Sequence, residues 1–188
     1  MNIVKKILII FFTFYCYHCS KTILSSSQYY NSDISFSGTD NLLDIVTWNI
    51  ETFPKNDNVT VNYLSDIISN LNVDIIALQE IVSLNDFNEL LSNLGNSWVG
   101  HLVSSGNSNY GRLAYLINTQ NIDNIISPLN ILENEDEESF AWRFPYLLEF
   151  NYKNQHCILI NIHYKCCGDG ILNENNTNDE EYKRHRVS

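Results

Sequence analysis

Asp74-Ile75-Ile76-Ala77-Leu78-Gln79-Glu80 is a short apolar run, rich in β-branched residues, that ends abruptly in two polar ones. A continuous run of that length reads as a strand buried on both faces, predicted here over Asp74 to Leu78. Upstream, Asp44-Ile45-Val46-Thr47-Trp48-Asn49-Ile50-Glu51 repeats the pattern, with a second buried strand predicted over Leu42 to Trp48. Between them Val61, Leu64, Ile67, Ile68 and Leu71 share one helical face, so Val59 to Leu71 is a crossover helix. Downstream, Asn161-Ile162-His163-Tyr164-Lys165-Cys166-Cys167-Gly168-Asp169-Gly170 sets a histidine at the end of a third apolar run and follows it with a glycine-punctuated loop. Three strand ends thus carry Asn, Glu and His.

The remaining elements surround this frame. Leu84 to Leu94 is a second amphipathic helix, with Phe87, Leu90, Leu91 and Leu94 in register. After Gly95 the pattern changes to short strands: Trp98 to Val103, Arg112 to Asn118 and Ile122 to Ile126, with Ser104 to Tyr110 as a hairpin loop. Phe144 to Tyr152 and His156 to Ile162 read as a further hairpin, and Asn173 to Glu181 as a polar loop leading into a helix. Glu133 to Glu138 holds five acids in six residues and reads as a solvated loop; it lacks the glycine and ligand spacing of an EF-hand. The order strand, helix, strand, helix, then strands predicts an α/β (α+β layered) domain: sheets packed on one another with helices outside.

The chain has 188 residues, enough for one domain with a substantial core. An apolar fraction of 44% and a mean hydropathy of -0.18 fit a folded globular protein. Only 11 Lys and Arg and a net charge of -11 argue against a broadly basic nucleic-acid-binding surface. Nuclease chemistry is not excluded, because a bound divalent cation can reverse the local field.

Lys5 and Lys6 precede an eleven-residue run, Ile7 to Tyr17, that is apolar apart from Thr13. Residues 1–19 therefore read as an export signal, too short for the ~20 apolar residues of a spanning helix. Cys19-Ser20-Lys21 resembles the start of a bacterial lipoprotein, although Cys16, Tyr17 and His18 are bulky for a lipobox; an uncleaved hydrophobic anchor is the alternative. The expected location is exported, either periplasmic or extracellular, or held at a membrane through the N-terminal segment. Residues 20–41, rich in Ser, Asn and Asp, read as a flexible tether to a domain over 42–188. Cys157, Cys166 and Cys167 read as small buried hydrophobes rather than a zinc site or a disulfide.

A carboxylate at the mouth of a buried strand is costly unless paired or coordinated, which makes Glu80 the leading metal-ligand candidate. Hard oxygen ligands suit Mg²⁺, with Mn²⁺ as the alternative. Asn49 is placed to orient that metal or to hydrogen-bond a phosphate oxygen. Glu51, two residues on in a continuing strand, is expected on the same side as a supporting acid. His163 can donate to a non-bridging phosphate oxygen or serve as a general acid. Arg143 could orient His163 or Glu80, or pair with the acidic run before it. Tyr110, in a turn, could reach a phosphate. Each has a plain structural reading as well: a loop acid, a satisfied histidine, a rim aromatic.

The ordered set is more specific than any member. Asp44 to Glu51, Asp74 to Glu80, Tyr110-Gly111-Arg112-Leu113-Ala114-Tyr115, Arg143-Phe144-Pro145 and Asn161 to Gly170 together resemble the endonuclease/exonuclease/phosphatase superfamily, which includes pancreatic-type deoxyribonucleases. The resemblance covers Asp44 to Gly170. It implies a two-sheet, deoxyribonuclease-like β-sandwich flanked by helices. It implies a Mg²⁺-dependent phosphoester hydrolase of nuclease or phosphodiesterase type, acting on nucleic acid or on a small or lipid phosphodiester. Asn49 and His163 would contact phosphate, Glu80 with Asn49 would serve the metal, and Tyr110 would lie in the phosphate region. No protein partner is implied. The family's Gly-Asp-x-Asn segment and terminal Asp-His pair do not occur in this sequence. The resemblance is thus to the N-terminal part of such a domain, truncated at the C-terminus, and as it stands the chain is expected to be inactive. The alternative is a non-catalytic exported binding module on the same scaffold.

Overall fold

The computed structural model describes residues 37–104, 111–135, 137–164 and 169–187, all within the unit Ser32–Ser188. The export signal over 1–19, most of the tether, Tyr110 with the rest of its loop, and Cys166 and Cys167 lie outside the described residues.

Strand β1 (Ile45–Phe53) is followed by helix α1 (Asp57–Leu71) and strand β2 (Ile75–Ile81), and the two strands pair in parallel as a crossover requires. Helix α2 (Leu84–Leu94) begins at Ser83, whose hydroxyl accepts the Asp86 N–H. Strands β3 (Trp98–Leu102) and β4 (Arg112–Asn118) form the expected antiparallel hairpin, and the first sheet has the order β1-β2-β4-β3. Strands β5 (Ile122–Asn130), β6 (Tyr146–Tyr152) and β7 (Gln155–Asn161) form a second, antiparallel sheet. A short 3-10 helix (Glu137–Phe140) and helix α3 (Glu180–Val187) complete the described chain.

The two-sided burial expected of Asp74 to Leu78 is present in β2 and β4. Ile76, Leu78, Ala114 and Leu116 pack against α1 and α2 with Val61, Leu64, Ile68, Phe87 and Leu90. The alternate residues Ile75, Ala77, Leu113, Tyr115 and Ile117 pack against Leu148 and Phe150 of the second sheet. A helix layer, a four-stranded sheet and a three-stranded sheet therefore share β2 and β4 as their centre. Among the described residues no helix is long and apolar enough to cross a membrane.

Tyr115 is the largest fully buried side chain. Its hydroxyl lies 2.8 Å from the Tyr146 carbonyl and 3.2 Å from the Leu159 carbonyl, and burial pushes its ionisation far above the usual range. Tyr115→Phe is expected to lower the unfolding free energy by about 1–2 kcal/mol, because two carbonyls lose their donor in a dry inter-sheet layer. Urea denaturation checks this; a midpoint equal to that of the wild type would show that the hydroxyl is dispensable.

Three expectations are corrected. The first strand is not buried on both faces: among the described residues β1 has β2 as its one neighbour, its residues as far as Glu51 alternate between exposed and half-buried, and Ile45 is 42% exposed. Strand β5 runs past Ile126 to Asn130 despite Pro128, which a sheet-edge strand tolerates because its outer N–H groups need no partner. The acidic run is not simply a solvated loop. Glu138 pairs with Lys183 at 2.6 Å and Glu135 with Arg186 at 2.7 Å, so the run docks α3. Lys183 keeps only 8% of its side chain exposed, and a cation so buried requires that partner. Cys157 is a half-buried free thiol packed at the edge of the inter-sheet core.

Candidate active site

The strand ends converge because the parallel β1 and β2 finish at the same edge of the first sheet and β7 finishes against it. Glu80 is the penultimate residue of β2, and both ladders break around it. On one side the pairing steps from Asn49↔Gln79 to Phe53↔Ile81, and on the other from Leu78↔Ala114 to Ile81↔Arg112. The backbone takes positive φ at Glu80 (68°), Glu51 (35°) and Thr52 (55°), a region that costs non-glycine residues of order 1–3 kcal/mol each. Strain of that kind re-aims a side chain, and here it turns the Glu80 carboxylate back over the end of β1.

That carboxylate is held at both oxygens. Asn49 Nδ2 donates to Oε1 at 2.9 Å, and the Thr52 N–H donates to Oε2 at 3.0 Å. Asn49 is itself fixed, because its Oδ1 accepts the Glu51 N–H at 2.9 Å, which settles which end of the amide faces Glu80. His163 enters from the second sheet. Its Nε2 lies 3.4 Å from Asn49 Nδ2 and 3.7 Å from Glu80 Oε1. Burial pushes the His163 imidazole down to about 4, the Arg143 charge adds to this, and Glu80 opposes it. At neutral pH His163 is therefore an uncharged ring beside the Glu80 side chain. Its Nδ1 is buried and has no hydrogen-bond partner among the described residues.

Two further residues tie the sheets together under the site, Gln79 and Asn161, 5% and 3% exposed. Gln79 Nε2 donates to Asn161 Oδ1 at 2.7 Å, and Asn161 Nδ2 donates to the Leu78 and Ala114 carbonyls at 2.9 and 3.1 Å. The residue before Glu80 and the residue two before His163 thus bond directly, so the distance between the two site residues is set by a buried amide pair. Sequence reasoning quoted both residues and gave neither a role. The available signal was two amide side chains at the ends of otherwise apolar runs.

The structure brings Asn49, Glu80 and His163 together, and Arg143 lies near enough for its charge to act on His163. Glu51 is not where strand alternation put it. Positive φ breaks the alternation, and its carboxylate, largely exposed, pairs with Lys55 at 2.7 Å instead of supporting Glu80. Asn49 presents its nitrogen to Glu80, so it orients the carboxylate rather than offering an oxygen to a metal. Tyr110 lies outside the described residues. A cavity of about 70 Å³ borders Arg143 and is lined also by Trp142, Phe144 and Glu133, beside the site rather than in it.

Among the described residues no group of three or more His, Cys, Asp and Glu side chains forms a metal cage. Glu80 alone, 21% exposed at the mouth of its strand, fits a different kind of cation site. Mg²⁺ commonly binds through one or two carboxylates and completes its shell with water and substrate phosphate. The donor chemistry of a carboxylate fits such an ion, and Glu80 is the residue that would hold it.

The sequence pattern of the endonuclease/exonuclease/phosphatase family matches residues 46–169. No curated protein matches the chain in sequence. Among solved structures, Danio rerio TDP2 complexed with single strand DNA product superposes with a TM-score of 0.57 at 16% identity, covering 77% of this chain and 52% of that one. An endonuclease/exonuclease/phosphatase family protein from Leptotrichia buccalis gives a TM-score of 0.54 at 16% identity, covering 78% and 60%. Truncated Caenorhabditis elegans TDP2 gives 0.51 at 22% identity, covering 66% and 47%. At these identities the likeness is one of fold: two sheets flanked by helices. The chain spans about half the length of the solved structures it matches.

Proposed function

Because the chain belongs to the endonuclease/exonuclease/phosphatase family, we propose that Asn49, Glu80 and His163 form the cation- and phosphate-binding part of a divalent-metal-dependent phosphodiester hydrolase. The observation that carries this reading is the meeting of three side chains, from β1, from β2 and from the segment after β7, within 3.7 Å of one another.

In this reading Glu80 holds Mg²⁺ or Mn²⁺, and the bound ion would supply charge stabilisation to a phosphate oxygen and a leaving oxygen. Asn49 and the Thr52 N–H keep the carboxylate aimed. Neutral His163 offers a hydrogen-bonding ring to a phosphate oxygen without contributing a charge that would compete with the cation. Burial, with the Arg143 charge adding to it, keeps the ring neutral, and Arg143 adds positive field near the incoming phosphate. The linkage can belong to a single-stranded nucleic acid or to a small molecule, since the groups that meet here recognise only the phosphate linkage. No second carboxylate joins Glu80 and His163 among the described residues, so we expect binding by the purified chain with negligible turnover.

Calorimetric titration of the 188-residue chain with Mn²⁺ tests the reading. Saturable binding of one ion, reversed by EDTA and tightened by dimethyl phosphate or a short single-stranded oligonucleotide, is the expected result. No saturable binding at millimolar Mn²⁺ would sink it and favour a non-catalytic binding module on the same scaffold. Robust Mg²⁺-dependent phosphodiester hydrolysis would overturn the expectation of negligible turnover.

A further inference from the structure

We propose that Gly111 is a positioning residue for Glu80: the missing side chain at 111 is what lets residue 80 hold its left-handed backbone and present its carboxylate. The inference rests on the reading of Glu80 as the cation ligand, and adds a residue from a different strand to what fixes it.

Three observations meet at this contact. A Cβ built on Gly111 would lie 2.4 Å from Glu80 Cα, 2.8 Å from its carbonyl carbon and 3.0 Å from its Cβ. The obstacle is the Glu80 backbone, not the end of a flexible side chain, so it cannot swing aside. Next, the β2/β4 ladder steps from Leu78↔Ala114 to Ile81↔Arg112, so Gln79 and Glu80 together oppose a single residue of β4. Gly111 stands immediately before β4 and closes on that extra residue. Finally, Glu80 has φ 68° and Gly111 has φ 74°, so both strands leave regular geometry at the same point. Only residue 111 is a glycine. The side chain with chemistry to offer is retained at the strained position, and the facing position gives up its own.

Moving the Glu80 backbone far enough to clear a methyl group 2.4 Å from its Cα would draw Oε2 off the Thr52 N–H and Oε1 off Asn49. Cation binding depends on that aim, and altered support of a ligand typically weakens metal affinity by about 10–100-fold.

The chain supplies its own control. Gly95 also has positive φ, 84°, but a Cβ built there meets nothing within 4 Å. Gly95→Ala carries the backbone penalty without the contact. The experiment compares wild type, G111A, G95A and E80Q by ¹⁵N–¹H correlation spectra and by Mn²⁺ titration. G111A is expected to move the Thr52 amide resonance in the direction E80Q moves it and to weaken Mn²⁺ binding at least about ten-fold. G95A is expected to leave both as in wild type. A folded G111A with unmoved Thr52 and unchanged Mn²⁺ affinity, or an equal effect from G95A, overturns the proposal. Should wild type bind no Mn²⁺, the cation reading fails by itself and the Thr52 amide alone decides the role of Gly111. Should G111A not fold, G95A decides it: a folded G95A leaves the contact with Glu80 as the cause and upholds the proposal, and a G95A that also fails to fold overturns it.

Discussion

Glu80→Gln is expected to weaken Mn²⁺ binding by more than about 100-fold while leaving the metal-free protein folded. The magnitude exceeds the usual 10–100-fold effect of changing a supporting partner, because here the charged ligand itself is neutralised. Glutamine keeps the shape but not the acceptor pattern. Both Glu80 oxygens receive donors, from Asn49 Nδ2 and the Thr52 N–H, and an amide must turn its own NH₂ toward one of them. The fold is little affected because the apolar clusters of β2 are made by Ile76, Leu78 and Ile81 on one face and Ile75 and Ala77 on the other. Calorimetry with and without Mn²⁺, beside a thermal melt in EDTA, separates the two effects. An E80Q protein that binds Mn²⁺ within about three-fold of wild type would remove Glu80 from the cation site.

Asn161→Leu is expected to destabilise the protein by about 3–5 kcal/mol, the larger structural effect. The change is nearly isosteric, so the loss comes from hydrogen bonding rather than volume. It removes the donors to the Leu78 and Ala114 carbonyls and the acceptor of Gln79 Nε2, all in a layer from which water is excluded. Unsatisfied buried polar groups cost about 1–3 kcal/mol each. Gln79 retains the Ala77 carbonyl and the Thr47 hydroxyl as acceptors, which keeps the total below the sum of three full penalties. The same substitution should loosen His163 against Glu80, since the bridge lies directly beneath both. Urea unfolding reads the first effect and Mn²⁺ affinity in the presence of dimethyl phosphate reads the second. A stability change below about 1 kcal/mol would mean that the sheets are held by packing alone.

The centre of the fold was legible because β2 and β4 are buried on two faces, and burial of that kind leaves an unbroken apolar run. Both helices were legible from periodicity, and α2 has the expected bounds, Leu84–Leu94. Strand β1 was misjudged because Leu42, Leu43 and Ile45 lengthen the apolar run at its start, whereas the strand itself alternates inward Val46, Trp48 and Ile50 with exposed Thr47, Asn49 and Glu51. Asn49, Glu80 and His163 could be named in advance because each interrupts an apolar run at its end. What holds them could not. The Gln79–Asn161 bond joins residues 82 positions apart, and no local pattern records such a pair. Glu51 shows the converse limit. Two-residue alternation predicts a side only while the backbone stays extended, and at φ 35° it does not.

The docking of α3 on the acidic run changes how the charge of the molecule is met from outside. A net charge of -11, taken as a uniform shell, would repel any phosphodiester from every direction. Glu135 and Glu138, however, lie against Arg186 and Lys183, and the neighbouring Glu137 shares a cavity lining with Arg143, whose charge reaches His163. Part of the negative charge beside the site is therefore cancelled over distances far shorter than the ~10 Å screening length of dilute salt. The charge that the acidic run presents there is reduced by a helix that donates no side chain to the Asn49–Glu80–His163 contacts.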